Sequence, residues 1–331
     1  MVKSTYWQSI RGICILAVVL IHALGGYNYV DDTAFIILRQ IINFAVATFI
    51  FMAGYFIDEN ILKSNDFDFK RWFAVRGGRL LVPFVIWSLF YTIISIAYKF
   101  YNGATINWLG LLLRFFAGKA AVPFYYIVVL LQLTVLTPFL VKSIKKKGLT
   151  EKLLWLVTPA YIVYVYAWNF ITGNPPFLYE TFFPAWFLFY YLGIKVKGGM
   201  KLKGTYLLLF VTFIFSCIEA LALRYCGMNR GFYTSQITLG SFMYTVGFIA
   251  VILKAGNSRE SILAKLGDCS YGIFYIHMFI LMIIGKVLNT NDSWFFYWSS
   301  RFMLTSLISY GIVRISQHLF NKNILKWIGF V

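Results

Sequence analysis

Three histidines and five glutamates stand among 331 residues, so the side chains able to exchange a proton are few. His22 lies inside the first apolar run, and Arg11 precedes it by eleven residues. At 100° per residue that spacing closes to within about 20° of three full turns, placing Arg11, Ile15, Val18 and His22 on one helix face. The rise separates the two ionisable groups by about 16 Å along the axis. An ionisable group at membrane depth is costly to bury and is therefore a functional candidate. His22 reads as a deep base above a cationic residue near the surface, a vertical track along one helix. The alternative is a hydrogen-bonded histidine that holds two helices together. His277 lies in a later apolar run and reads equally as a functional group or a polar packing contact, while His318 reads as a snorkelling surface residue.

A second group is the basic segment Lys70 to Arg79. Arg76 and Arg79 are three residues apart and neighbours on a helix. With Arg71, and with Gly77 and Gly78 offering free N–H groups at a helix start, they form a candidate phosphate site. Ordinary positive-inside anchoring accounts for the same residues. On the opposite side, Glu180 and Asp31 (with Asp32) sit near Tyr27, Tyr29, Trp168 and Tyr179. Carboxylates beside aromatic rings suit a sugar, whose hydroxyls meet the acids and whose ring meets the aromatics. Taken singly, each is equally a solvated loop residue or part of an interfacial aromatic belt.

The elements that must position these groups are membrane helices. The chain is 60% apolar and 13% charged, far from the balance of a water-soluble domain. Continuous apolar runs fall near 7–25, 35–57, 76–99, 122–142, 152–171, 182–196, 205–224, 234–254, 271–288 and 295–320. They lack the short alternating period of a barrel strand, so the expected fold is all-α, with about ten transmembrane helices in one domain spanning 1–331. The run from Trp108 to Ala117 is too short to span and is expected to be interfacial or re-entrant. Thr5-x-x-Gln8 resembles a capping box that opens the first helix. With the N-terminus cytoplasmic, 22 of the 30 basic residues fall on the cytoplasmic side, which puts both termini there. The net charge of +18 is therefore topological and no nucleic-acid partner is expected. The four cysteines are scattered, so neither a metal site nor a disulfide framework is expected.

Several stretches, in order, resemble the membrane acyltransferase-3 family. Arg11-Gly12, with His22 eleven residues after the arginine, resembles its arginine–histidine pattern in the first span. Phe49 to Phe56 resembles its F-F-x-x-S-G-Y/F stretch, with Ala53 where the family has serine. Arg71 to Pro83, followed by Trp87, resembles its basic entry to the third span. Phe124 to Gln132 with Pro138, Phe183 to Gly193, and Ser270 to His277 complete the series.

The resemblance implies acyl transfer, usually of acetyl, from cytoplasmic acyl-CoA to a hydroxyl of a cell-surface glycan or its lipid-linked precursor. Acetyl-CoA would be a co-substrate, with no permanently bound cofactor. In such an enzyme His22 would be the general base or a transient acyl carrier, and Arg11 would orient it or stabilise charge. Arg71, Arg76 and Arg79 would hold CoA phosphates. Tyr126 and His277 would line the pocket, with Glu180 and Asp31 toward the acceptor. The expected surroundings are the cell membrane and its lipids, with a homo-oligomer compatible. A transporter or flippase of a lipid-linked sugar is the other class, though the sequence shows no paired broken spans.

Overall fold

A computed structural model of the chain describes residues 4–25, 33–57, 68–146, 148–255, 261–288 and 293–331. Among the described residues every regular element is helical, as apolar runs in lipid require. The first half comprises α1 (Thr5–Ala23), α2 (Thr33–Ile42), α3 (Ala45–Tyr55), α4 (Phe69–Tyr101), α5 (Trp108–Phe116), α6 (Tyr125–Lys146), α7 (Leu149–Leu154) and α8 (Val157–Thr172). The second comprises α9 (Phe187–Lys197), α10 (Tyr206–Tyr225), α11 (Arg230–Tyr233), α12 (Leu239–Lys254), α13 (Ile262–Asp268), α14 (Ser270–Val287), α15 (Trp294–Leu319) and α16 (Lys322–Ile328).

Seven helical stretches are long and apolar enough to cross a membrane: 5–23, 33–55, 69–101, 122–146, 149–172, 206–225 and 270–287. The other three expected runs form different helices. α9 has 11 residues, because Pro184 opens the run with a 3₁₀ turn. α12 has 16 residues, and α15 has 26 but carries Arg301 and Arg314. α5 has 9 residues with none buried, in keeping with a helix too short to span.

Two sequence expectations are corrected. The capping box does not form: α1 starts after Ser4 without a side-chain cap, and the Gln8 amide oxygen instead accepts from Arg11 Nη1 at 3.2 Å. Gly77 and Gly78 do not begin a helix. Asp68 caps α4 by accepting from the Arg71 N–H at 3.2 Å, so both glycines lie in the helix interior with their N–H groups in its ladder.

Two crossings depend on missing side chains. A Cβ added at Gly12 would strike the Leu263 carbonyl oxygen, and one at Gly267 would strike that of Gln8, so α1 and α13 meet backbone to backbone from both sides. The pair Gly54 and Gly193 does the same for α3 and α9: one faces the Tyr190 carbonyl, the other that of Phe51. Close approach through small residues is how helices associate in lipid, where apolar burial supplies no drive.

A buried polar network fixes the break between α2 and α3. The Gln40 amide oxygen accepts from Ser216 Oγ at 2.7 Å, Ser241 Oγ at 2.9 Å and Asn43 Nδ2 at 3.0 Å. Asn43 Nδ2 also faces the Ser235 carbonyl at 3.2 Å. These bonds tie α2 to α10, α12 and the segment before α12.

Gly54→Val and Gly267→Val should each lower stability by about 1–3 kcal/mol or prevent folding, since backbone cannot yield as a side chain does. Gly78→Ala, with nothing within 4 Å of the new carbon, should be neutral or mildly stabilising. Thermal unfolding of the detergent-purified variants checks the contrast.

Candidate active site

A cavity of about 990 Å³ runs through the bundle. α1 lines it with Gln8, Arg11, Ile15, Val18, Ile21 and His22, the face that the eleven-residue spacing predicts. The reciprocal glycine contact with α13 lies on another face of α1 and sets its rotation, which turns Arg11 and His22 inward.

One end of the cavity is basic. The first three turns of α4 bring Arg71, Arg76 and Arg79 to its wall beside Asp68 and Trp72. Arg76 lies 4.9 Å above the Trp72 ring and donates from Nη2 to the Ala53 carbonyl. A carbonyl is supplied by any residue type, so alanine in place of the family's serine leaves that contact intact. Tyr271 donates to the Arg79 carbonyl at 3.2 Å. Arg11 is half-buried, bonded to Gln8 and 5.4 Å from the Phe56 ring centroid. The helix rise sets it about 16 Å from His22 along the axis. Arg11 and Arg76 lie within electrostatic reach of the phenol of Tyr126, which lines the middle of the cavity.

At the other end, the His22 ring lies 5.4 Å from the ring of His277 with the planes tilted by 37°. His277 is fully buried behind His22 and is not on the cavity wall. Its Nδ1 donates to the Ile273 carbonyl at 3.0 Å, leaving Nε2 as the lone-pair atom, and that atom has no hydrogen-bond partner. His318 is exposed at the end of α15, as a surface residue.

Glu180 lines the same cavity, with Tyr125, Trp186, Arg39 and Gln236. Sequence reasoning missed Arg39 and Gln236. Arg39 lies within an apolar run, the same signal that selects His22. Nothing local marks Gln236, which reaches the cavity through tertiary packing. Asp31, with Asp32, Tyr27 and Tyr29, lies outside the described residues. The structure thus gathers His22, Arg11, Arg71, Arg76, Arg79, Tyr126 and Glu180 around one cavity, with His277 against His22.

A family model described as an acyltransferase domain, that of acyltransferase-3, matches residues 5–316. No curated protein and no solved structure matches the chain.

Arg11→Lys keeps the charge but loses the planar fork that reaches Gln8 and lies along Phe56. Acyl-CoA affinity should fall by about tenfold, the worth of one charge-assisted hydrogen bond. Calorimetry on the purified variant measures it, and an unchanged affinity would leave Arg11 with a packing role only.

Proposed function

Because the chain belongs to the acyltransferase-3 family, we propose that this membrane acyltransferase moves an acetyl group from cytoplasmic acetyl-CoA to a hydroxyl of a cell-surface polysaccharide or its lipid-linked precursor. One observation carries the reading: a single cavity joins a cluster of arginines to a deep imidazole and, beyond it, to a carboxylate among aromatic rings. The donor bears phosphates and a long thin arm. Its phosphates suit Arg71, Arg76 and Arg79, as charge-assisted pairs. Its pantetheine arm suits the passage along Arg11, Ile15 and Val18, and the thioester then arrives near His22.

In the transfer step, neutral His22 accepts the proton of the acceptor hydroxyl as that oxygen attacks the thioester carbonyl. The tetrahedral intermediate collapses, the carbon–sulfur bond breaks, and the imidazolium returns its proton to the departing CoA sulfur. Ester and thiol form with no further reactant. His277 Nε2, a lone pair beside His22, is suited to accept from one His22 nitrogen and leave the other facing the cavity. The charge distribution supports a topology with the α4 entry, the segment after α9 and both termini in the cytoplasm.

The purified protein should transfer labelled acetyl from acetyl-CoA to its glycan, and His22→Ala should lower that rate by about 10²–10⁴ while acyl-CoA binding persists. A folded His22→Ala protein within about tenfold of the parent would return His22 to helix packing. For sidedness, in a Cys226→Ser background that removes the exposed native thiol, an impermeant maleimide applied to intact cells should label Asn174→Cys and spare Lys201→Cys, both exposed positions. The opposite pattern would invert the topology.

A further inference from the structure

The cavity beyond His22 holds groups that the donor does not use. Arg39 Nη1 and Gln236 Oε1 are both buried and both lack a hydrogen-bond partner, although each residue lines open space. One is a donor and the other an acceptor. Buried polar atoms are costly to leave unpaired, so an unpaired donor and an unpaired acceptor on two residues of one cavity wall point to a ligand that reaches them.

Their positions are fixed from behind. Arg39 immediately precedes Gln40, and Gln236 immediately follows Ser235. Gln40 and the Ser235 carbonyl are both held by the buried network around Asn43 and Ser241. Trp186 is likewise locked, its Nε1 donating to the Glu180 carbonyl at 2.8 Å, and its ring stacks with Tyr125 at 6.0 Å between centroids. Arg39 lies within electrostatic reach of His22 and of Glu180, and all three line the same cavity.

Charge then decides what fits. Glu180 offsets Arg39, and the other cation near Arg39, Arg230, lies off the cavity wall with its guanidinium 4.6 Å above the Phe35 ring. The donor end, by contrast, sets four arginines against Asp68 and Asp268. A carboxylated or phosphorylated sugar would bring a further negative charge against Glu180 in the same cavity wall. A neutral sugar donates hydroxyl protons to Glu180 and Gln236, accepts from Arg39, and meets the edge of the wall that Tyr125 and Trp186 help to form.

Resting on the acyl-transfer reading above, we propose that Arg39, Glu180, Gln236, Tyr125 and Trp186 form the acceptor subsite and select a neutral, vicinally hydroxylated sugar over an acidic one. The test uses the full chain in lipid nanodiscs. Methyl glycosides of glucose, galactose and rhamnose are compared with methyl glucuronide and galacturonide, by saturation-transfer NMR and by acetyl transfer from acetyl-CoA. The best neutral glycoside should exceed both acidic ones by about tenfold or more. Glu180→Gln, nearly isosteric, should shrink or reverse that ratio by leaving Arg39 uncompensated. Arg39→Gln and Gln236→Leu should weaken glycoside binding by about tenfold with acetyl-CoA affinity kept within about twofold, as a folded protein requires.

Binding of no neutral glycoside, preference for an acidic one, or a ratio that ignores Glu180→Gln would each overturn the subsite. Transfer to a uronide in preference would do so while leaving acyl transfer standing. Neutral-glycoside binding without any CoA-dependent transfer would remove the acyl-transfer reading instead.

Discussion

The backbone contact between α1 and α13 is the constraint on which the site depends. Gly12 and Gly267 each leave room for the other helix's carbonyl, at Leu263 and Gln8. A helix pinned at that distance has little freedom to rotate about its axis. An adjoining face, about 80–100° round the helix and bearing Arg11 and His22, is therefore turned to the cavity. The same device at Gly54 and Gly193 places α3 against α9, which holds the Ala53 carbonyl where Arg76 bonds to it.

Within that frame the ionisable groups are sorted along one axis. Each is costly at membrane depth unless a partner or polar space receives it. Gln8 receives Arg11, the Ala53 carbonyl and the Trp72 ring receive Arg76, and Ile273 receives His277. Among the buried atoms without a partner are three at this cavity: His277 Nε2 against His22, and Arg39 Nη1 and Gln236 Oε1 on residues of its wall. Basic groups at one end, an imidazole farther along and a charge-balanced polar pocket beyond form the order that an anionic donor and a hydroxylated acceptor require.

What the sequence made legible follows from periodicity. The face of α1 depends on a helical period alone: Arg11, Ile15, Val18 and His22 line the cavity together, joined by Gln8 and Ile21. The all-helical membrane fold followed from apolar runs for the same reason. The glycines at 77 and 78 misled, because a helix start is set by its cap, here Asp68, and not by residues inside it. The capping box failed because Gln8 had a stronger partner in Arg11. Arg39, Gln236 and the pairing of His277 with His22 come together from distant segments, and no local pattern encodes such meetings. Of the ten runs expected to span, seven form helices long and apolar enough to do so among the described residues, and the run that Pro184 opens forms a helix of 11 residues.

The central claim is that the arginine end of the cavity and His22 serve one molecule of donor. A structure of the protein bound to a nonhydrolysable acetyl-CoA analogue tests it directly. The account predicts phosphates against Arg71, Arg76 and Arg79, the arm along Ile15 and Val18, and the acyl carbon within about 3–4 Å of the space an acceptor oxygen would share with the His22 ring. An analogue seated outside the cavity, or one whose acyl group ends a helical turn or more short of His22, would contradict it.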